Sequence, residues 1–441
     1  MNSSLPKVLH PVAGLPMILR VLKEIKNAGC AELRVVVGYG ENLVRQVVEP
    51  TGAICFKQVE QKGTADAVLA AQPATLEGPV LIINGDHPLV TENDVRRAIE
   101  DFKNSRSQLT LVTAKVKKPG QYGRVVRSGG QLRAIVEAKD ASAETLKINE
   151  VNTGIYVVEA ALLNKLLSLV SNNNAQKEFY LTDIISLAID NKISVNTLTL
   201  HSRVASGVNS QEELALATRK VYRRKIKKLL EGGVVVIDPT TTYIEDEVEI
   251  GASTVLYPQV FIKGPSRIGS FCVIESGSFL NQVTCEDGVQ IKANCYLESC
   301  VIKTHAHVGP FARLRPETEI GSEAHVGNFV EMKKVKFGAK AKAGHLTYLG
   351  DAEIGEATNI GCGTITCNYA VDKKKYKTII GKNVFVGSDS QFVAPVSIGD
   401  DAIIGSGSTI TKDVPAKALA VARGRQIVKE NYNPGIKKNK E

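Results

Sequence analysis

The sequence predicts two units of different class: a Rossmann-like α/β domain with a mainly parallel sheet, then a parallel β-helix of hexapeptides. Three observations carry this. Over residues 1–204, short apolar runs rich in β-branched residues alternate with helical stretches. From residue 234 to about 414, an Ile or Val followed by Gly keeps returning. Between them, residues 205–233 read as a linker helix, placing the solenoid and its C-terminal tail in 234–441.

In the first unit, strands are expected at 33–37 (LRVVV), 80–83, 109–112 and 154–158, and helices at 17–28, 63–71 and 92–102. Ligands of such sheets sit beyond the carboxyl ends of strands. Three polar clusters fall there: Gln58 to Thr64, Asn84-Gly85-Asp86, and Glu150 to Gly154. Asp86 follows a buried strand, where a carboxylate can hold Mg²⁺ beside a nucleotide phosphate. With Pro88 it can equally well start a turn.

The linker, 206–232, carries Arg219, Lys220, Arg223, Arg224, Lys227 and Lys228 on one face and Leu214, Val221, Ile226 and Leu230 on the other. Gly232-Gly233 stops it.

In the solenoid, the aliphatic–Gly pairs begin at 250, 268, 308, 320, 326, 354, 360, 380, 386, 398 and 404. Many gaps are multiples of six, a period that fits neither an α-helix nor an alternating strand and marks a hexapeptide β-helix. Each aliphatic side chain should point into the prism, with the small residue beside it turning the corner. The period breaks between 326 and 354 and between 360 and 380. Insertions in solenoids loop out and often carry the binding face. The first break holds Lys333, His345 and Tyr348; the second holds Asn368, Tyr369 and the lysines at 373–375. Together they look like one site, with ordinary loop variation as the alternative.

A chain of 441 residues holds two or three domains. Trp is absent and aromatics make up 5%, which suits a narrow prism filled by Ile and Val. The net charge of +9 suits anionic small substrates. The basic clusters at 219–228 and 437–440 read as a solvated face and a mobile tail rather than nucleic-acid or membrane sites. The tail 433–441 is expected to be disordered. The eight Cys form no CxxC pair and read as reduced packing residues. No run of 18 apolar residues and no signal-peptide pattern occurs, so a cytoplasmic location is expected.

Several long segments then carry a resemblance: LPKVLH at 5–10, NNNAQKEFYLTD at 172–183, GPFARLRP at 309–316, HVGNFVEMKK from 325 and AGHLTYLGDAEIG from 343. The whole chain resembles the bifunctional bacterial family that joins a glucosamine-1-phosphate acetyltransferase to an N-acetylglucosamine-1-phosphate uridyltransferase. The resemblance implies a nucleotidyltransferase domain and a left-handed β-helix that forms a homotrimer. It implies acetyl transfer from acetyl-CoA to glucosamine 1-phosphate. It also implies uridylyl transfer from UTP to N-acetylglucosamine 1-phosphate with Mg²⁺, giving UDP-N-acetylglucosamine and pyrophosphate.

In the second unit the resemblance makes His345 the base, polarised by Glu331. An imidazole suits that role, being mostly neutral at pH 7. Arg315 and Lys333 would hold the sugar phosphate, Tyr348 and Asn359 the sugar, and Asn368 and Ser388 the reacting acetyl carbonyl. Cys362, Tyr369, Ser406 and Arg423 would line acetyl-CoA, with Asn368 and Ser388 beside it. The family often has Ala at the positions of Cys362 and Ser406. In the first unit, Lys7, Gln58, Gly63 and Thr64 match UTP positions, Asp86 and Asn209 metal ligands, and Gly123, Glu137 and Asn152 sugar contacts. Asn84 stands where the family commonly has Tyr.

One departure concerns the N-terminus. The family opens with a strand and a Gly-rich loop of the form Leu-x-x-Gly-x-Gly-Thr-Arg-Met, whose backbone cradles phosphates. Met1 aligns with the last residue of that motif. Either the true start lies upstream of Met1 or the first unit is impaired, and for the chain as written uridylyl transfer is expected to be weak. The alternative is an acetyltransferase with a non-catalytic first domain.

Overall fold

The computed structural model describes residue 1 and residues 3–432. The tail expected to be disordered, 433–441, lies outside the described residues. The chain divides into units Met1–Val221 and Tyr222–Glu441, inside the helix Gln211–Glu231.

In the first unit the sheet is mixed. The strand Glu150–Glu159 runs antiparallel between Pro79–Ile82 and Leu109–Lys115, which therefore share one direction. Val195–Leu200 adds parallel to Leu109–Lys115. The hairpin Arg124–Ser128 and Gln131–Val136 completes this sheet. Arg34–Val37 pairs in parallel with Ile54–Lys57 as a separate ribbon. Successive side chains of a strand face opposite ways. Tyr156 and Val158 accordingly join Leu109 and Leu111 in one core, under helices Ala160–Leu167 and Asp183–Asp190. Ile155 and Val157 join Val112 and Ala114 in another, under Met17–Asn27 and Glu92–Ser105.

The long helix starts at Gln211 rather than 206. Residues 206–209 turn back instead, with the Val208 N–H on the Asp86 carbonyl at 3.0 Å. Ser210 and Glu213 form a capping box: Glu213 N–H donates to Ser210 Oγ at 3.1 Å, and the Glu213 carboxylate accepts the N–H groups of Ser210 and Asn209 at 3.1 and 2.6 Å. Asn209 is thereby fixed at the helix entrance. Gly233, at φ +84°, ends the helix, with Val234 N–H on the Leu229 carbonyl.

The second unit is a parallel β-helix whose coils are mostly 17 or 18 residues long. Ile262, Leu280, Leu297, Leu314, Met332 and Leu349 stack in register, all fully buried. The glycines do a different job from the one expected. Gly251 lies flat against the next coil, and a Cβ there would stand 2.6 Å from Ser270 N. The left-handed residue at the corner is Ser253, two positions on, and the same offset places Glu323 after Gly321 and Asn383 after Gly381. Gly is required for coil contact, while mostly non-Gly residues turn the corners.

The first break is not an insertion. His325–Phe337 and Lys342–Ile354 are two continuous strands, paired with an offset of one 17-residue coil from Val326↔Ala343 to Phe337↔Ile354. Lys333, His345 and Tyr348 therefore sit in the wall of the prism. The second break is an insertion: Tyr348 pairs with Ile365, seventeen residues on, but Ile365 pairs with Gln391, twenty-six on. The excess leaves the wall after Asn368 and returns at Tyr376, whose N–H bonds the Asn368 carbonyl at 2.8 Å.

Candidate active sites

In the first unit the residues singled out by sequence fall into three groups. Gln58 donates to the Gly63 carbonyl at 3.1 Å and to Asp66 at 2.7 Å, while Thr64 Oγ1 accepts from Leu181 N–H at 2.9 Å. Gly63 backs onto Phe179, with φ +127° and space for no Cβ. The 172–183 segment therefore braces this turn.

The second group is Lys7, Asp86 and Asn209. Lys7 Nζ lies 2.5 Å from Asp86 Oδ2 and 2.6 Å from Asn209 Oδ1. Two oxygens from distant parts of the chain thus converge on one cationic centre. The other carboxylate oxygen, Oδ1, is buried and has no hydrogen bond; His87 Nε2 stands 3.5 Å away. Burial pushes the His87 imidazole down, favouring its neutral form. This oxygen-only set fits Mg²⁺, which takes one or two protein ligands and completes its shell with water and phosphate. Among the described residues no group of three or more His, Cys, Asp or Glu could hold a metal.

The third group is Gly123, Glu137 and Asn152. A Cβ on Gly123 would stand 3.1 Å from Glu137 Oε1, and the Gly123 carbonyl accepts Asn152 N–H at 2.9 Å. Asn152 Nδ2 donates to Tyr156 Oη at 2.9 Å. Burial raises the Glu137 carboxyl above the usual range, against a hydrogen bond with Thr182. Gly154 leaves room for Asn84, where a Cβ would meet Nδ2 at 2.4 Å, so the Asp86 turn abuts this group.

In the second unit the residues sort onto two edges of the prism. Along the first, register stacks Asn328, His345, Cys362, Ser388 and Ser406 in successive coils. Backbone bonds tie the column: Gly363 N–H to Leu346 O at 2.9 Å, Asp389 N–H to Cys362 O at 2.7 Å, and Gly407 N–H to Ser388 O at 2.8 Å. The Arg423 guanidinium donates to the Ser406 carbonyl at 2.8 Å. Asn359 lies in the same coil as Cys362. Cys362 is exposed, unlike Cys272, Cys285, Cys295 and Cys300 in the core.

The second edge gathers Arg315, Lys333, Asp351, Asn368 and Lys375. Arg315 N–H bonds Met332 O, which sets it one coil before Lys333. Lys375 and Arg315 lie close enough to hold the Lys333 ammonium below its ordinary value. Asn368 is buried and donates to Asp351. A Cβ on Gly350 would meet Tyr348 Oη at 2.5 Å and Asn368 Nδ2 at 2.7 Å, so that glycine keeps open the space they share.

Two expected contacts are replaced. Glu331 does not reach His345; it is in register with Tyr348 and pairs with Arg315 at 2.9 Å. His345 Nδ1 is instead 2.7 Å from Asn328 Oδ1. Asn368 and Ser388, expected side by side, belong to different edges. Nothing in the local sequence marks out Asn328; counting one 17-residue coil back from His345 finds it. Lys375 stands in the sequence only as one of a basic run, with no role of its own.

Chemically, the second unit offers an imidazole in a column of small residues and, one face away, a cluster of cations. An imidazole can accept a proton, and clustered cations can hold an anion.

Comparison with known proteins follows the same division. Residues 2–201 match the nucleotidyl transferase family, and residues 377–412 match the bacterial transferase hexapeptide model of six repeats. The chain is 62% identical to the bifunctional protein GlmU of Bdellovibrio bacteriovorus, over 98% of this chain and 94% of that one. It is 43% identical to that of Pelobacter propionicus, covering 99% and 96%, and 42% identical to that of Carboxydothermus hydrogenoformans, covering 98% and 97%. With both units matched and its whole length aligned, the chain belongs to the GlmU family of bifunctional proteins.

Proposed function

We propose that the two reactions of the family are divided between the units along the groups described above. The chain transfers acetyl from acetyl-CoA to glucosamine 1-phosphate and uridylyl from UTP to the N-acetylated product. In the β-helix, His345 takes the proton from the sugar amine as its nitrogen bonds to the acetyl carbon. The carbon–sulfur bond then breaks, and the proton passes to the departing thiolate. Arg315, Lys333 and Lys375 hold the sugar phosphate. Tyr348 and Asn359 contact the sugar, Asn368 and Ser388 donate to the carbonyl oxygen, and Cys362, Tyr369, Ser406 and Arg423 line the coenzyme. The clustering of Arg315, Lys333 and Lys375 on one edge carries this reading, because neighbouring cations call for an anion beyond the Glu331 carboxylate that Arg315 already meets. Arg315→Ala and Lys333→Ala should each remove a charge-assisted hydrogen bond, about 1.5–3 kcal/mol. The KM for glucosamine 1-phosphate should rise roughly ten- to hundredfold, with that for acetyl-CoA unmoved. A change confined to acetyl-CoA contradicts the assignment.

We further propose that the acetyl-transfer site forms between copies of the chain in a homotrimer. The amine and phosphate of glucosamine 1-phosphate sit on adjacent carbons, so base and clamp must act within a few ångströms. In one chain they stand at different corners: His345 beside Leu346 (φ +39°), Lys333 beside Lys334 (φ +56°). A neighbour bringing its second edge to this first edge closes the gap. Exposed Phe311, Phe329 and Leu346 beside His345 favour such a neighbour, since a contiguous apolar stripe in water is costly.

In the first unit, Asp86 and Asn209 would hold Mg²⁺, which supplies charge neutralisation at the UTP phosphates. Lys7, Gln58, Gly63 and Thr64 bind UTP, and Gly123, Glu137 and Asn152 orient the sugar. Asp86→Ala should abolish Mg²⁺-dependent uridylyl transfer and leave acetyl transfer intact. Retained uridylyl transfer at ordinary Mg²⁺ would remove Asp86 from the metal site. Among the described residues no helix is long and apolar enough to cross a membrane, and a cytoplasmic location, where UTP and acetyl-CoA are made, fits this chemistry.

A further inference from the structure

The His345 imidazole has two nitrogens, and a general base must present an unprotonated one. Which nitrogen that is depends on what the other touches. His345 stands in register with Asn328, one coil away on the same edge, and Nδ1 lies 2.7 Å from Asn328 Oδ1. An amide oxygen can only accept. The proton of that hydrogen bond therefore belongs to Nδ1, and the lone pair of the neutral ring is left on Nε2.

We propose that Asn328 is a positioning residue that holds His345 in the Nδ1–H tautomer, so that Nε2 is the atom that takes the amine proton. The inference rests on His345 being the base. Glu331 cannot serve in its place. It lies three residues along the strand from Asn328, about 10 Å at strand rise, and its carboxylate is engaged by Arg315. The choice of an amide has a chemical consequence. A carboxylate at this position would stabilise the imidazolium and hold the proton, whereas a neutral amide fixes the ring and lets the proton go to the leaving thiolate. The titratable groups on this side are His305, His307, Glu323, His325 and Lys342. Burial, then His307 and Lys342, hold His325 below its ordinary value.

The test compares Asn328→Ala, Asn328→Asp and His345→Ala in the full chain. Asn328→Ala frees the ring, and kcat for acetyl transfer should fall roughly tenfold or more, with both KM values within about twofold of the starting protein. Asn328→Asp keeps an acceptor of the same shape. It should restore kcat on the alkaline side while moving the acidic limb of the kcat/KM profile upward by about one pH unit. The near-isosteric Asp variant carries the test if the Ala variant fails to fold. An inactive His345→Ala, with Asn328 variants of unaltered kcat and an unmoved limb, would overturn the role of Asn328 and leave the base in place. An active His345→Ala would instead remove the base itself.

Discussion

Replacing His345 by Ala should lower acetyl transfer by about a hundredfold or more, with uridylyl transfer unchanged. The magnitude follows from the chemistry, since a positioned base contributes roughly 10²–10⁴-fold in proton transfer. The change can be read as chemistry because the residue is exposed and lies outside the core of the prism. Exposed substitutions away from packing sites usually alter stability by no more than about 0.5 kcal/mol. Stacking of coils, which gives a solenoid its stability, runs through Leu349, Ala343 and their neighbours instead. The measurement is turnover in both assays on one preparation, with thermal unfolding as the control. Near-normal acetyl transfer at neutral pH would mean that another group takes the proton.

Much of this arrangement is legible in the sequence because it is periodic. The recurring aliphatic–Gly pairs point to the prism, and the alternation of β-branched runs with amphipathic stretches points to the α/β unit. Periodicity also sets the limits. A parallel and an antiparallel strand share the same two-residue alternation, so nothing in residues 150–159 announces that this strand runs against its neighbours. The glycines are visible, but their purpose is not: Gly251 is defined by a backbone one coil away, a contact absent from the local sequence. In the site, His345, Lys333 and Arg315 stand out as chemistry-bearing residues, but their edges do not. Edge assignment depends on coil length, and two irregularities disturb the count. Coils of 17 residues shift the register by one against a period of six, which makes two continuous strands look like an insertion. The excursion between Asn368 and Tyr376 displaces everything after it. For the same reason Glu331, a carboxylate near a histidine in sequence, looks like its partner, while Asn328, a full coil back, does not.

Separating the residues by edge leads to the second large effect, restoration of activity by mixing two inactive chains. His345→Ala removes the base from the first edge and leaves the cations of the second intact; Lys333→Ala does the reverse. If each site joins the first edge of one chain to the second edge of its neighbour, each variant alone is defective at all three sites. In a ring, the contact between neighbours is heterologous, with a fixed direction around the axis. Any trimer containing both kinds of chain then has one junction at which an intact first edge meets an intact second edge. Random mixing in equal amounts makes about three-quarters of trimers mixed, and one junction in three of those is whole, so activity should return to about a quarter of the starting level. Mixing must pass through dissociated chains, or the two must be expressed together, and mass measurement on the trimers must verify that both are present. Cys362, Ser388, Ser406 and Arg423 lie on the same edge as His345, so these coenzyme contacts come from the chain that supplies the base. Pairing His345→Ala with Arg423→Ala should accordingly give no comparable rescue. Verified mixed trimers of His345→Ala and Lys333→Ala that stay inactive would place base and clamp within one chain, and the shared site would have to be abandoned.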